Sequence, residues 1–423
     1  MTKNSVLAVC ITAALALAGC GTDDENGTAD GGPEQADIRV WINGPDTPQA
    51  ARDWLKETFE EEHSGSTLTI EEQQWEGLVE RLTTALSSES ETPDVVEVGN
   101  TQAPTFTSAG AFTDLTGELD SLGGSDLLDG FVEGATVDGK VYAVPYYAGS
   151  KYVFYRKDLF EAADVDVPTT MEEFVQAAID LQEATAEPAN FSGFWLPGQD
   201  WRNGVTFLWD AGGELAVNGG DGWEGALSTP ASLDGLRTVQ TLFTEASRAA
   251  KDGNEADPHV PFCNDEVGML SAPGWVTGLI DNPDTGCPEL MENVGVFALP
   301  GSDGGPAPVL LGGSDIAVSA KSPNQDLAKD VVALMLSEEY QTILAENGLT
   351  PALGSLTPAL GDDEFAQATI AAASNAKLTP AAPGWASVEG ARILEDLFVG
   401  IANGGDVERL AEQADAQMTS QLG

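Results

Sequence analysis

The chain is poor in positive charge and in histidine. Its 423 residues carry 18 Lys and Arg against 69 Asp and Glu, a formal net charge of −51, and two imidazoles, His63 and His259. A charge of this sign and size makes binding to nucleic-acid phosphates, an anionic membrane surface or a polyanionic ligand unfavourable; its first use is solvation of the surface. Two histidines beside four cysteines offer little from which to build a metal centre. Neither an HExxH nor a GxSxG signature is present. His63 ends an acidic helical stretch, where the helix dipole favours a cation, and His259 in ADPHVPFC has no nucleophile signal beside it. Long apolar runs are also scarce. The stretch from Val6 to Ala18 is shorter than a typical bilayer span.

That stretch sits in MTKNSVLAVCITAALALAGC, with one lysine before it and small residues ahead of a cysteine, the layout of a secretory signal over residues 1–19. Leu17-Ala18-Gly19-Cys20 resembles the lipobox of bacterial lipoproteins. The resemblance implies that Cys20 is lipidated and holds the protein at the outer face of a membrane. Residues 20–37 are Cys20 and the tether GTDDENGTADGGPEQAD from Gly21 to Asp37, which lacks large apolar groups and has roughly 20 Å root-mean-square reach. Cys10 is lost with the signal, so Cys263 and Cys287 remain. An even pair in an oxidising compartment predicts a disulfide, contributing on the order of 3 kcal/mol.

The length suggests two lobes, and from Ile38 onward short β-rich runs alternate with amphipathic helices in the pattern of α/β layers. IRVWIN reads as a strand, followed by Thr47-Pro48 as N-cap and first residue of a helix that turns Ala51, Leu55 and Phe59 inward. STLTIEEQ and the near-continuously apolar DVVEV are further strands, and Leu78, Leu82 and Leu86 stripe the helix between them. GKVYAVPYYAG and SKYVFYRKDLFEAA read as two extended segments and a helix crossing between lobes. Thr170 and Glu173 form a capping box, and Thr229-Pro230 starts another helix. Gly312-Gly313 interrupts a strand where the backbone can bend or approach a ligand, and GLTPA is a second crossing. The predicted N-terminal lobe is 38–145 and 312–348, and the C-terminal lobe 146–311 and 349–423. Several crossings make a hinge.

Gly134 to Lys140 has the spacing of a phosphate-binding loop, but Val141 stands where a magnesium-holding Ser or Thr is required and Asp138-Gly139 makes a turn into a strand. No cofactor and no metal is assigned. The aromatics say more. Trp75, Trp201, Trp275 and Trp385 follow turns or start elements beside small polar residues, and the tetrapeptide APGW occurs twice, ending at Trp275 and at Trp385. A pyranose exposes C–H groups on its faces and hydroxyls at its edge, which suit flat aromatics and polar side chains respectively. Loops after predicted strands supply the polar groups Asn43 and Asp46, Asn100 and Gln102, and Gly313, Ser314 and Asp315, where open α/β sheets place their ligands. One such Trp is as readily core as ligand contact; four together point to a ring-shaped ligand.

The lipobox, Pro93 to Thr116, Asp138 to Ala163, GMLSAPGW (Gly268 to Trp275) and NGLTPA (Asn347 to Ala352) resemble the extracellular solute-binding lipoproteins of bacterial ABC sugar importers, in their actinobacterial form. The likeness covers essentially the whole mature chain. It implies an α/β, two-lobed periplasmic-binding-protein-like (type II) fold with hinge crossings, closing as a monomer on a neutral mono- or oligosaccharide. It further implies delivery to ABC permease subunits, with no catalysis and no nucleic-acid partner. By position it makes Trp275 and Trp385 stacking aromatics of the second lobe, Tyr146 the hinge aromatic, and Asn100 with Gln102 first-lobe contacts. Glu389 follows Trp385 by one helical turn, where maltose-type sites often carry Arg, so maltodextrin does not follow from the resemblance. The alternatives are a tethered glycoside hydrolase using paired carboxylates and an adhesin for polymeric glycan. With 69 acidic residues the sequence singles out no catalytic pair.

Overall fold

The computed structural model describes residues 35–220 and 222–422; the signal, Cys20 and the tether up to residue 34 lie outside the described residues. Among the described residues, nine strands form one continuous sheet: β1 (Asp37–Asn43), β2 (Thr67–Gln73), β3 (Val95–Gly99), β4 (Val144–Arg156), β5 (Ser192–Trp195), β6 (Val267–Pro273), β7 (Val294–Phe297), β8 (Leu311–Val318) and β9 (Thr350–Pro351). Their order is β2-β1-β3-β8-β4-β6-β5, with β7 and β9 also paired to β4. The parallel strands β1, β2 and β3 are followed by helices, whereas β8 runs antiparallel to both β3 and β4.

The hinge is a single long strand. Sequence reading gave two extended segments here, but β4 runs unbroken for 13 residues. Its first half pairs with β8, from Val144 opposite Ile316 to Ser150 opposite Leu311. Its second half pairs with β6, from Lys151 opposite Pro273 to Tyr155 opposite Met269. Each half-sheet buries its own core. The first gathers Ile38, Val40, Leu55, Phe59, Ile316, Val331 and Tyr340 on one face and Leu82, Val96, Val98, Phe106 and Ala317 on the other. The second gathers Phe154, Phe174, Leu181, Val205, Leu236, Met269 and Leu397.

The amphipathic stripes fold as their periodicity requires: Ala51, Leu55 and Phe59 are buried on the helix Gln49–Glu62, and Leu78, Leu82 and Leu86 on Leu78–Ser87. Cys263 and Cys287 are joined, with their Cα atoms 5.5 Å apart. Asp138 and Gly139, both at positive φ, turn the hairpin that pairs Thr136–Val137 with Lys140–Val141. Other details depart from expectation. Thr47 does not cap its helix, because its hydroxyl lies 2.9 Å from the Tyr146 hydroxyl instead. Gly312-Gly313 does not break β8. Gly313 sits at φ 147°, and a Cβ there would fall 2.3 Å from the Tyr147 carbonyl oxygen, so the close approach is to backbone rather than to a ligand. Leu349 and Ala352 pack into the first core, although the expected boundary placed them in the C-terminal lobe, because β9 pairs with the first half of β4.

Candidate functional site

The C-terminal ends of β1 and β3, joined by β4 and β8, carry a buried polar cluster. Asn43, the last residue of β1, donates its backbone N–H to Glu97 Oε2 at 2.6 Å and its Nδ2 to the Glu97 carbonyl oxygen at 3.0 Å. Its Oδ1 is left without a partner. The Tyr147 hydroxyl lies 3.0 Å from Glu97 Oε1 and 3.2 Å from Asp46 Oδ2, and Asp46 Oδ2 also accepts the Trp75 indole N–H at 3.0 Å. Ser314, opposite both Gly99 and Tyr147 in the sheet, completes this wall. Gly44 makes room for the indole: at φ 58° it takes a left-handed turn, and a Cβ would meet Trp75 Nε1 at 2.9 Å. Trp75 stays 36% exposed, which leaves part of its ring open beside Asp46.

Burial shapes the titration of this wall. Desolvation pushes the Glu97 carboxyl up to about 7 against the pull of hydrogen bonds from Asn43, Ser314 and Tyr147, with the Asp46 charge adding to the rise. Desolvation likewise lifts Asp46 to about 6, opposed by Trp75, Tyr147 and Arg52.

The second half-sheet presents its own strand ends. Asp200, following β5, caps the helix Trp201–Asp210 by accepting the Asn203 N–H at 3.0 Å, and Lys151 Nζ lies 3.6 Å away. Arg202 places its guanidinium 4.8 Å over the Trp201 ring and bonds Glu255 at 2.8 Å. The Trp201 and Trp385 rings meet edge to face, centroids 6.4 Å apart. Trp385 Nε1 donates to Glu389 Oε1 at 3.1 Å, and Glu389 Oε2 accepts the hydroxyl of Thr101 at 2.9 Å. Thr101 belongs to the loop after β3, so this carboxylate joins the two sets of strand ends. Burial raises the Glu389 carboxyl, with Arg202, Thr101 and Trp385 pulling the other way.

The structure sorts the residues singled out from sequence. Asn43, Asp46, Trp75 and Ser314 come together. Asn100 donates its N–H to the Gly313 carbonyl at 3.1 Å at the rim of this wall, and Gln102 keeps a buried Oε1 without a partner. Asp315 is the register partner of Val98 and so faces the opposite side of the sheet, away from Asp46; burial raises its carboxyl well above the usual range. Tyr146 is corrected outright. Its hydroxyl lies 2.6 Å from that of Tyr340 in the first core, where Tyr147 packs beside it with ring centroids 4.9 Å apart; the pairing of β4 with β8 skips Tyr146 at a register irregularity, and the Tyr147 hydroxyl is the one that reaches Asp46 and Glu97. Trp201 and Trp385 are each 1% exposed, so the open ring faces expected of them are not there; each covers the other and the second core. Trp275 stands half-buried at the N-terminus of the helix Val276–Ile280 and packs against both cores.

Sequence reasoning passed over Glu97, Tyr147 and Glu255. The lone acid inside the apolar run VVEV was the available signal for Glu97, since a buried strand carries a charge only where polar partners await it.

A model of the bacterial extracellular solute-binding protein family matches residues 43–342. The chain belongs to that family. Among its solute-binding relatives, a diacetylchitobiose binding protein of Streptomyces coelicolor is 32% identical over 420 residues, 96% of each chain. A lactose-binding protein of Rhizobium radiobacter is 25% identical over 76% of each. Of solved solute-binding structures, the GacH receptor of Streptomyces glaucescens, known unliganded and with acarbose, superposes at TM-score 0.79 with 22% identity, covering 92% of this chain and 99% of that one. Maltose-bound MalE3 of T. maritima superposes at 0.75 with 19% identity, covering 90% and 99%. At these identities the likeness shows the fold: the two-lobed type II arrangement of solute-binding proteins.

Proposed function

We propose that this solute-binding protein captures a sugar or oligosaccharide between its two lobes and hands it to the permease of an ABC importer. The observation that carries the reading is the joining of two sets of strand ends through Thr101 and Glu389, beside a wall of hydrogen-bonding groups and one open indole face. Asn43, Asp46, Trp75, Asn100, Gln102 and Ser314 supply the first-lobe contacts. Trp275 and Glu389 supply the second, with Trp385 holding Glu389 in place rather than stacking. The lipobox at Leu17 to Cys20 supports lipid anchoring at the outer face of the membrane. The relatives are named as binding proteins, and the hydrolase reading draws no support from them.

A thermal-shift screen of the secreted protein over mono- and disaccharides tests this. At least one sugar is expected to raise the melting temperature and to be recovered uncleaved. A screen with no response to any sugar, or recovery of hydrolysed product, rejects the proposal. Trp75→Ala is expected to weaken binding of the responding sugar about fivefold while leaving the free protein's melting temperature nearly unchanged, since an open aromatic face contributes about 1 kcal/mol to contact and little to the core.

A further inference from the structure

Lys151, on the hinge strand β4, is a cation whose hydrogen bonds are unspent. Its Nζ stands 3.6 Å from Asp200 Oδ1, beyond hydrogen-bond length, and among the described residues it donates to no acceptor. Arg39, Arg52, Arg156 and Arg202, by contrast, each bond a carboxylate at 3.0 Å or less. Asp200 has its own donors, since one oxygen accepts the Asn203 N–H at 3.0 Å and the other accepts Asn203 Nδ2. The charges of Asp200 and Glu255 hold the ammonium in place without using its three N–H groups. The side chain is 13% exposed, so bulk solvent reaches little of it.

Register shows which way Lys151 faces. Residues directly opposite on antiparallel strands share a face of the sheet, as do alternate residues along one strand. Tyr147 is opposite Ser314, Gly149 opposite Gly312, and Lys151 opposite Pro273, so Lys151 lies on the face that carries the first-lobe wall. The diagonal agrees, because a Cβ on Gly149 would stand 3.9 Å from the Pro273 Cβ. Ser314 is in turn opposite Gly99, and Trp75 Cζ3 sits 3.6 Å from where a Cβ on Gly99 would be. Trp75 and Lys151 thus flank one stretch of sheet.

The middle of that stretch is bare. Beyond its chain neighbours, a Cβ on Gly149 meets nothing nearer than Pro273, and one on Gly312 nothing nearer than the Gly149 carbonyl oxygen at 3.8 Å. Gly149 is the one residue from Val144 to Ser150 that is not buried. Neither glycine has a positive φ, so the backbone does not require glycine at either position.

We propose that Lys151 contacts the ligand, donating to sugar oxygens across a floor left open by Gly149 and Gly312. This rests on the sugar-binding reading above and adds to it a determinant of affinity at the junction of the two half-sheets. A counter-ion for buried acids needs no bare sheet beside it. An indole at one side, an ammonium at the other and no side chain between them fit a flat ring with hydroxyls at its edge.

Cellobiose, maltose, trehalose and chitobiose are titrated calorimetrically into the parent, and the tightest binder among them and the sugars of the screen above is carried to the variants. Lys151→Met keeps the length of the side chain and removes its charge and donors; it is expected to lower affinity at least about tenfold, as loss of a hydrogen bond from a charged group does. The same loss is expected in an Asp200→Asn background, where a counter-ion for Asp200 would be dispensable. Gly312→Val covers the floor and should also lower affinity at least about tenfold, with little change in melting temperature. Gly149→Ala, the smaller change, should weaken binding while holding or raising the melting temperature. The proposal is overturned, and the sugar reading left standing, if Lys151→Met binds within about twofold of the parent, if its loss vanishes in the Asp200→Asn background, or if both glycine variants bind like the parent. A parent that binds none of these sugars rejects both.

Discussion

Glu97 is a fully buried acid inside β3 whose oxygens accept from the Asn43 amide and the Tyr147 hydroxyl. Its carboxyl is raised from 4.5 to about 7, and that of Asp46 from 3.8 to about 6. A carboxyl that titrates higher in the folded than in the unfolded chain binds more protons when folded. Its contribution to stability is therefore complete below the unfolded value and is lost as pH rises through the folded one. Stability should fall between about pH 4 and pH 7, and the Glu97 share of that loss is about 3 kcal/mol for a shift of this size. Urea unfolding as a function of pH checks this: Glu97→Gln should flatten the curve over that window. An unchanged slope would mean that Glu97 stays ionised throughout.

At the scale of elements, β4 and β8 determine which side chains reach the site. They pair across the hinge with a register shift between Ser314 and Asp315, and Gly313 passes against the Tyr147 backbone with no room for a Cβ. Gly313→Ala is expected to cost about 2 kcal/mol or more, combining left-handed strain with a backbone clash, as read from the urea midpoint. It should also weaken ligand binding, because Tyr147 is the residue displaced. The register irregularity that brings Tyr146 and Tyr147 into one core, with Tyr147 reaching Asp46 and Glu97, leaves no mark in VPYYAGSKYVFYR. Both tyrosines are apolar enough for a core and polar enough for a site, and only the partner strand decides. Helix stripes were legible for the opposite reason: charged residues on one face and leucines on the other leave a single way to bury them.

For the molecule as a whole, Thr101 and Glu389 stand 288 residues apart in sequence and meet through one hydrogen bond to a buried carboxylate. Thr101→Val removes the donor and leaves that oxygen unsatisfied, a cost of about 2 kcal/mol. If the lobes swing about β4, a change of this size moves the balance between closed and open forms roughly thirtyfold. Small-angle scattering should then give a larger radius of gyration for the ligand-free variant than for the parent. Equal radii would show that the contact does not govern closure.

Composition and local pattern determined a good deal unaided: the α/β layering, the disulfide pair and the family likeness. Each is set by residues close together in the chain or by sums over all of it. Tertiary structure alone decided that Trp201 and Trp385 shield each other, that Tyr147 replaces Tyr146 at the site, and that Asp46 and Glu97 share one hydroxyl. Those outcomes depend on which face of a strand meets which neighbour across distant segments. Burial and charge coupling are properties of that meeting, and no single segment contains them.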